Sequence, residues 1–126
     1  MSDWWKVAEA MARSAHALHE IGDYNSAIDR AYYAMFDAAR AALADVDPAL
    51  ADGKTHHGTI RRFSQHMIKT GYLPERLGRS LNVSQSARLA AMYEPIFSSR
   101  EECEQALTDM EEFLAHIGAY LRRPKQ

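Results

Sequence analysis

The sequence predicts an all-α protein, an up-and-down antiparallel bundle of about five helices, and three observations predict it. Runs of alternating or β-branched residues, which would read as strands, are missing. Glycine and proline punctuation divides the 126 residues into about five helix-length segments. Leu107, Met110, Leu114, Ile117 and Leu121 then recur at spacings of three and four, the stripe of a helix that buries one face.

The first helix is expected from about Asp3 to Glu20, stopping before Gly22. Asp23 is a suitable N-cap for a second helix that continues to about Ala44. Residues 45 to 54, "DVDPALADGK", hold Pro48, Gly53 and three aspartates and read as a loop. Thr55 can cap a third helix ending before Gly71, and Pro74 suits the first turn of a fourth reaching about Tyr93. Pro95 breaks the chain. In "SSREE", Ser98 with Glu101 or Ser99 with Glu102 makes a capping box for the last helix. The tail from residue 121 to 126 is expected to fray.

A chain of this length fits a single domain, 1–126, and its 47% apolar and 25% charged residues suit a globular protein in water. No apolar run approaches the roughly 18 residues of a membrane span. "MSDWWKVAEA" lacks the basic start and apolar stretch of a signal peptide, and the single Cys103 forms no internal disulfide, so the expected location is cytoplasmic. Cys103 reads as a structural thiol. The net charge of -2 argues against a general nucleic-acid binder but leaves room for a local basic pocket, and Arg, at 11 residues, outnumbers Lys.

The stretch "RAYYAMFDAARAAL", residues 30 to 43, has almost no ordinary solvent face. Wound at 3.6 residues per turn, Tyr24, Ala27, Ile28, Ala31, Met35, Ala38 and Ala42 line one side of the second helix. Tyr32, Phe36, Ala39 and Leu43 line another, and between them runs a polar stripe of Ser26, Arg30, Tyr33, Asp37 and Arg40. That stripe reads either as an exposed face with local ion pairs or as a partly buried cluster at an interface or ligand groove. On the second reading Asp37 pairs with Arg30 or Arg40 near a dimer cleft and close to Arg88. Two apolar faces exceed what one surface helix buries, so a homodimer interface is expected to use part of the Tyr32/Phe36 side.

"GDYNSAIDRAYYAMFDAARAAL", "KTHHGTIRRF", "KTGYLPERLGRSLN" and "ARLAAMY" follow in the order and spacing of HEPN-domain proteins, and the chain resembles their small stand-alone prokaryotic branch over about residues 7 to 121. The resemblance implies an all-α bundle that dimerises, often beside a small nucleotidyltransferase antitoxin in a toxin–antitoxin pair. It also implies a nucleotide or RNA as ligand. Many members of the superfamily are metal-independent ribonucleases in which an Arg neutralises phosphate charge and a His four to six residues later moves a proton.

That pair is not clearly present. The branch's late-helix pattern reads Arg88-Leu89-Ala90-Ala91-Met92-Tyr93 here: Arg88 and Tyr93 match, but Met92 stands at the acidic position and no His follows Arg88 at that distance. Tyrosine, with an ordinary pKa near 10, is a poor general base at neutral pH. Arg88 and Tyr93 lie about 140° apart on a helix, so they would have to reach one phosphate from two sides of a cleft. Arg61/His66 and Arg13/His19 match the bare spacing in earlier helices. His56 matches the family's "KTH", where Lys54, Thr55 and backbone N–H groups could meet an anion or merely start the helix. The catalytic candidates are therefore Arg88, Tyr93, His56 and His66, and the ligand or interface candidates Arg30, Tyr33, Asp37, Arg40, Lys54 and His56. His16 with His19, and Glu112 with His116, share helix faces but lack the two Glu-x-x-His pairs of a di-iron bundle, so no metal or cofactor is expected. The expected activity is binding of a nucleotide or of a nucleotidyltransferase partner. A ribonuclease and a purely structural interaction bundle are the alternatives.

Overall fold

The computed structural model describes residues 2–125, and its helices are α1 (Asp3–Glu20), α2 (Tyr24–Val46), α3 (His56–Phe63), α4 (Glu75–Tyr93) and α5 (Arg100–Leu121). Among the described residues there is no strand. The helix starts follow local chemistry. Asp23 accepts from the Ser26 N–H, Thr55 from the Gly58 N–H, and Ser99 and Glu102 form a reciprocal capping box. The Ser98 alternative is not used, because its N–H donates instead to Asn25 Oδ1 at 2.7 Å. Gly22 closes α1 at φ 79°, a left-handed conformation that side chains resist, so the chain can reverse into α2 within a short turn.

Two boundaries depart from the sequence reading. The 45–54 loop contains a short 3-10 turn, Pro48–Ala51, started by Asp47 accepting from the Ala49 N–H. The third helix is not regular up to Gly71: after Phe63 it widens into a π turn, Ser64–Ile68, where the Lys69 N–H donates to the Ser64 carbonyl. Phe63 and Met67 on this segment are both fully buried, and the Met67 carbonyl accepts from Leu73 N–H as the chain turns toward α4.

Helix α2 is the centre of the molecule and packs on each of the other four. Thirteen of its 23 residues are buried, and seven of the alanines among them admit no more than a trace of solvent, so neighbouring helices approach closely. At the other end of the core, the α5 backbone at Gly118 lies against the Trp5 indole, where an added Cβ would come within 3.2 Å of the ring. The Tyr32/Phe36 side needs no second copy to cover it. Tyr32 is 0% and Phe36 2% exposed within one chain, which corrects the expectation that this side forms a dimer interface.

Candidate functional site

Across three turns of α2, Asp29, Tyr33 and Arg40 lie along one flank, with Tyr32 and Phe36 beside them, and two other helices close over that flank. From α4 comes Arg88, whose side chain is 13% exposed. Its Nε donates to Asp29 Oδ1 at 3.2 Å and its Nη2 to the Tyr33 hydroxyl at 2.9 Å. The guanidinium carbon lies 5.6, 5.2 and 5.8 Å from the ring centres of Tyr32, Tyr33 and Tyr93, within cation–π range of all three. Burial works against the charge, but the Asp29 hydrogen bond and the neighbouring Tyr33, Asp29 and Tyr93 push the Arg88 pKa upward on balance.

From the first turn of α3 comes His56. Its Nδ1 is 2.7 Å from the Tyr32 hydroxyl, and its ring stacks on Phe36 with centroids 4.4 Å apart. Burial, then the positive charges of Arg88 and Arg40, lower its pKa, so the ring is neutral at pH 7. Burial also raises the Tyr32 pKa, so that hydroxyl keeps its proton. Which partner donates in the Tyr32–His56 bond fixes whether His56 Nε2 is a donor or an acceptor.

On the far side of His56 stands Arg40. Its guanidinium carbon lies 4.5 Å from the Trp4 ring centre and 4.7 Å from that of Phe36, and its Nη2 donates to the Gly53 carbonyl at 3.2 Å. Its Nε is buried without a hydrogen-bond partner among the described residues. The expected Asp37 ion pair does not form. Arg40 is drawn onto aromatic rings and the Gly53 carbonyl, and Arg30 is exposed with Nη1 3.8 Å from Met11 Sδ. Asp37, 7% exposed, has no salt bridge among the described residues. Burial raises its carboxyl pKa to about 6, against a partial lowering by Arg40.

The remaining candidates separate. Tyr93 ends α4 at 73% exposure with its ring beside Arg88, so a helix end brings together two residues that a straight helix would splay. Lys54 is exposed in the loop before α3, and Thr55 caps that helix. His66 lies in the π turn, away from the Arg88 hydrogen bonds, and Arg61 is exposed one helical stretch earlier. The His19 ring lies tilted against Tyr24 with centroids 5.9 Å apart. His16 meets Glu111 at 2.7 Å, and Glu112 and His116 both bond Arg76 at 2.7 Å, so these pairs tie helices together. Cys103 is fully buried.

Two residues that organise the site carry no expectation from sequence. Asp29 lies one helical turn before Tyr33, and that spacing on the polar stripe is the signal that would have found it. Asn25 donates to the carbonyls of Ala91, at 2.7 Å, and Ile96, at 2.9 Å, which pins the Tyr93 end of α4 onto α2. What results is a guanidinium with donors to spare, since two of its five N–H groups are engaged. Beside it stand a neutral imidazole and an exposed tyrosine, an arrangement suited to binding a phosphate and stacking a planar group.

The HEPN domain family model matches residues 1–119. The chain is 32% identical over 117 residues to the Methanocaldococcus jannaschii protein named "Putative toxin MJ0605", covering 93% of this chain and 85% of that one. It is 29% identical to "Putative toxin MJ0142" of the same organism, across 90% of this chain and 76% of the relative. It is 35% identical to the Pyrococcus horikoshii "UPF0332 protein PH1297", a match covering 69% of this chain and 59% of the relative. A family match across nearly the whole chain, on a fold whose described residues form five α-helices and no strand, places this protein in the HEPN-domain family.

Proposed function

We propose that this protein is a toxin-type HEPN module that binds the phosphate of a nucleotide at Arg88. The observation that carries this reading is the guanidinium itself: fixed by Asp29 and Tyr33, flanked by three tyrosine rings, and left with free donors. Arg in such a fixed setting is a better phosphate ligand than Lys. Titration calorimetry with AMP and with inorganic phosphate tests it. Arg88→Ala should weaken AMP binding by about 10- to 100-fold, the worth of a charge-assisted hydrogen bond or two. Arg88→Lys should recover little of it. Unchanged affinity in Arg88→Ala would overturn the reading.

Homodimerisation belongs to the same proposal, through a different surface from the Tyr32/Phe36 side. Met92 at 45%, Tyr93 at 73%, Ile96 at 49% and Phe97 at 99% exposure make an apolar patch beside Arg88. Sedimentation of wild type and Phe97→Glu at micromolar concentration should show a dimer and a monomer respectively. The toxin-named relatives support an antitoxin as a further partner. Its nucleotidyltransferase identity rests on the family resemblance, and a small nucleotidyltransferase reading frame beside this one would agree with it.

One observation favours ribonuclease activity as a second reading. The Arg and His that the sequence does not space correctly are brought from separate helices onto one tyrosine: His56 Nδ1 meets the Tyr32 hydroxyl at 2.7 Å, and the Arg88 guanidinium carbon lies 5.6 Å from the Tyr32 ring centre. Arg88 would then stabilise phosphate charge while His56 Nε2 moves a proton. Incubation of mixed RNA in the presence of a chelator should give cleavage that both Arg88→Ala and His56→Ala abolish. No cleavage by wild type removes this reading and leaves the binding module.

A further inference from the structure

The net charge of -2 conceals a strong segregation. From Thr55 to Tyr93, the span that holds α3 and α4, there are six Lys and Arg but only one acidic residue, Glu75, for a charge of +5. The rest of the chain therefore carries -7. Along the seam between α3 and α4 run two recesses of about 410 and 310 Å³ that share Ile60, Ser64 and Asn82, and so form one groove.

The groove starts beside the site. His57, Gln85 and Ser86 line its near end, and Gln85 lies one helical turn before Arg88 on the same side of α4. Lys69, Gly78 and Arg79 line its far end, where Glu75 only loosely meets Arg79 at 3.9 Å. From Gly78 to Arg88 is ten residues of helix, or about 15 Å, long enough for a few nucleotides. Arg61 projects along the middle and is exposed. Gln85 lines the same recess, and its side-chain oxygen is buried without a hydrogen-bond partner among the described residues.

We infer that the α3/α4 groove is a track for a single-stranded oligonucleotide that runs on from the phosphate held at Arg88. The inference rests on the nucleotide reading proposed above and extends it from one nucleotide to a strand. Arg61, Lys69 and Arg79 supply backbone charge, and Asn82, Gln85 and Ser86 supply groups that bond base edges or sugar hydroxyls. Continuity with the phosphate site at Arg88 favours a nucleic acid over an acidic peptide, and Gln85, which lines the recess, offers an amide to base edges.

The test is fluorescence anisotropy with labelled uridylates of one, four and eight nucleotides and the matching deoxythymidylates, at two salt concentrations. Wild type should bind the eight-nucleotide strand at least tenfold more tightly than the single nucleotide. Arg61→Ala/Lys69→Ala should abolish that length advantage and leave single-nucleotide binding unchanged. Its salt slope should flatten by about 1.4, the release expected for two single-strand phosphate contacts. Both side chains are exposed, so the variant should fold, and its melting curve checks this. RNA bound more tightly than DNA, or both bound alike, would each agree with the track and say whether sugar hydroxyls are read. Equal affinity for one and eight nucleotides, with the single nucleotide still lost in Arg88→Ala, would overturn the track and leave the Arg88 site standing. Displacement of the strand by polyglutamate as readily as by unlabelled strand would overturn it in favour of an acidic protein. No binding at any length removes the track and the nucleotide reading together.

Discussion

Helices α2 and α4 cross the same site and are built on opposite principles. The first buries 13 of its 23 residues, while the second buries three of its 19: Leu77, Leu81 and Ala91. Alanine and aromatic side chains hold α2 from every side. The C-terminal half of α4 is held by polar bonds instead: Arg88 to Asp29 and Tyr33, and Asn25 to the Ala91 carbonyl. The stability of the bundle therefore resides around α2, and α4 is free to present Arg88, Tyr93 and a cationic face. Substitutions on the two helices should separate in both size and kind.

The largest effects belong to the packed half. Phe113 of α5 is fully buried, and its ring centre lies 5.6 Å from that of Phe63. Phe113→Ala should cost about 3–5 kcal/mol, from lost transfer energy and the cavity left behind. Urea unfolding measures it. A cost below about 1 kcal/mol would mean the core around α2 is far more forgiving than its exclusion of solvent implies.

Next comes Asp37, the point where α2 breaks its own rule. The folded carboxyl holds its proton up to about pH 6, whereas its ordinary value is 3.8. This group therefore favours the folded state fully below about pH 4, and that contribution is lost as pH rises through 6. At pH 7 the buried, unpaired charge is a cost, and Asp37→Asn should stabilise the protein by roughly 3 kcal/mol, given about 1.4 kcal/mol per pKa unit. The gain should vanish at pH 4. His56 works in the opposite direction: its lowered pKa favours folding at neutral pH and loses that effect as pH falls below its ordinary range. Thermal melts of wild type and Asp37→Asn from pH 4 to 8 resolve the two. A destabilised Asp37→Asn at pH 7 would point to an ion pair for Asp37 in the assembled protein.

What the sequence made legible is what local chemistry decides. Asp23, Thr55 and Ser99 with Glu102 cap their helices as their spacing predicts, because a cap needs only its own first turn. The polar stripe of α2 also follows from periodicity alone. Which neighbour covers each face does not. Arg88 meets Asp29 across 59 residues of chain and His56 meets Tyr32 across 24. Those meetings depend on where α3 and α4 dock, which the 3.6-residue period does not contain. The absent Asp37 pair has the same origin, since Arg40 finds the Trp4 ring and the Gly53 carbonyl, both supplied by other segments. The π turn after Phe63 is likewise invisible in "RRFSQHMIKTG", whose residues suit a regular helix as well.

The smallest predicted effect is also the most diagnostic for assembly. Val83 sits mid-way along α4 at 61% exposure, above a recess of about 420 Å³ between α4 and α5. In a single chain Val83→Ala removes little buried surface. It also replaces a β-branched residue, whose rotamers a helix restricts, by the best helix former, a gain of about 0.5 kcal/mol. The two effects nearly cancel, so the change should fall within about 0.5 kcal/mol of zero and lean toward stabilisation. Denaturation at nanomolar and at tens-of-micromolar protein distinguishes the sources of any departure. A near-zero effect at both concentrations means that the outer face of α4 stays in water. A loss above about 1 kcal/mol only at the higher concentration would show that face buried against a second copy, which would move the dimer interface from the Phe97 patch to the α4/α5 recess.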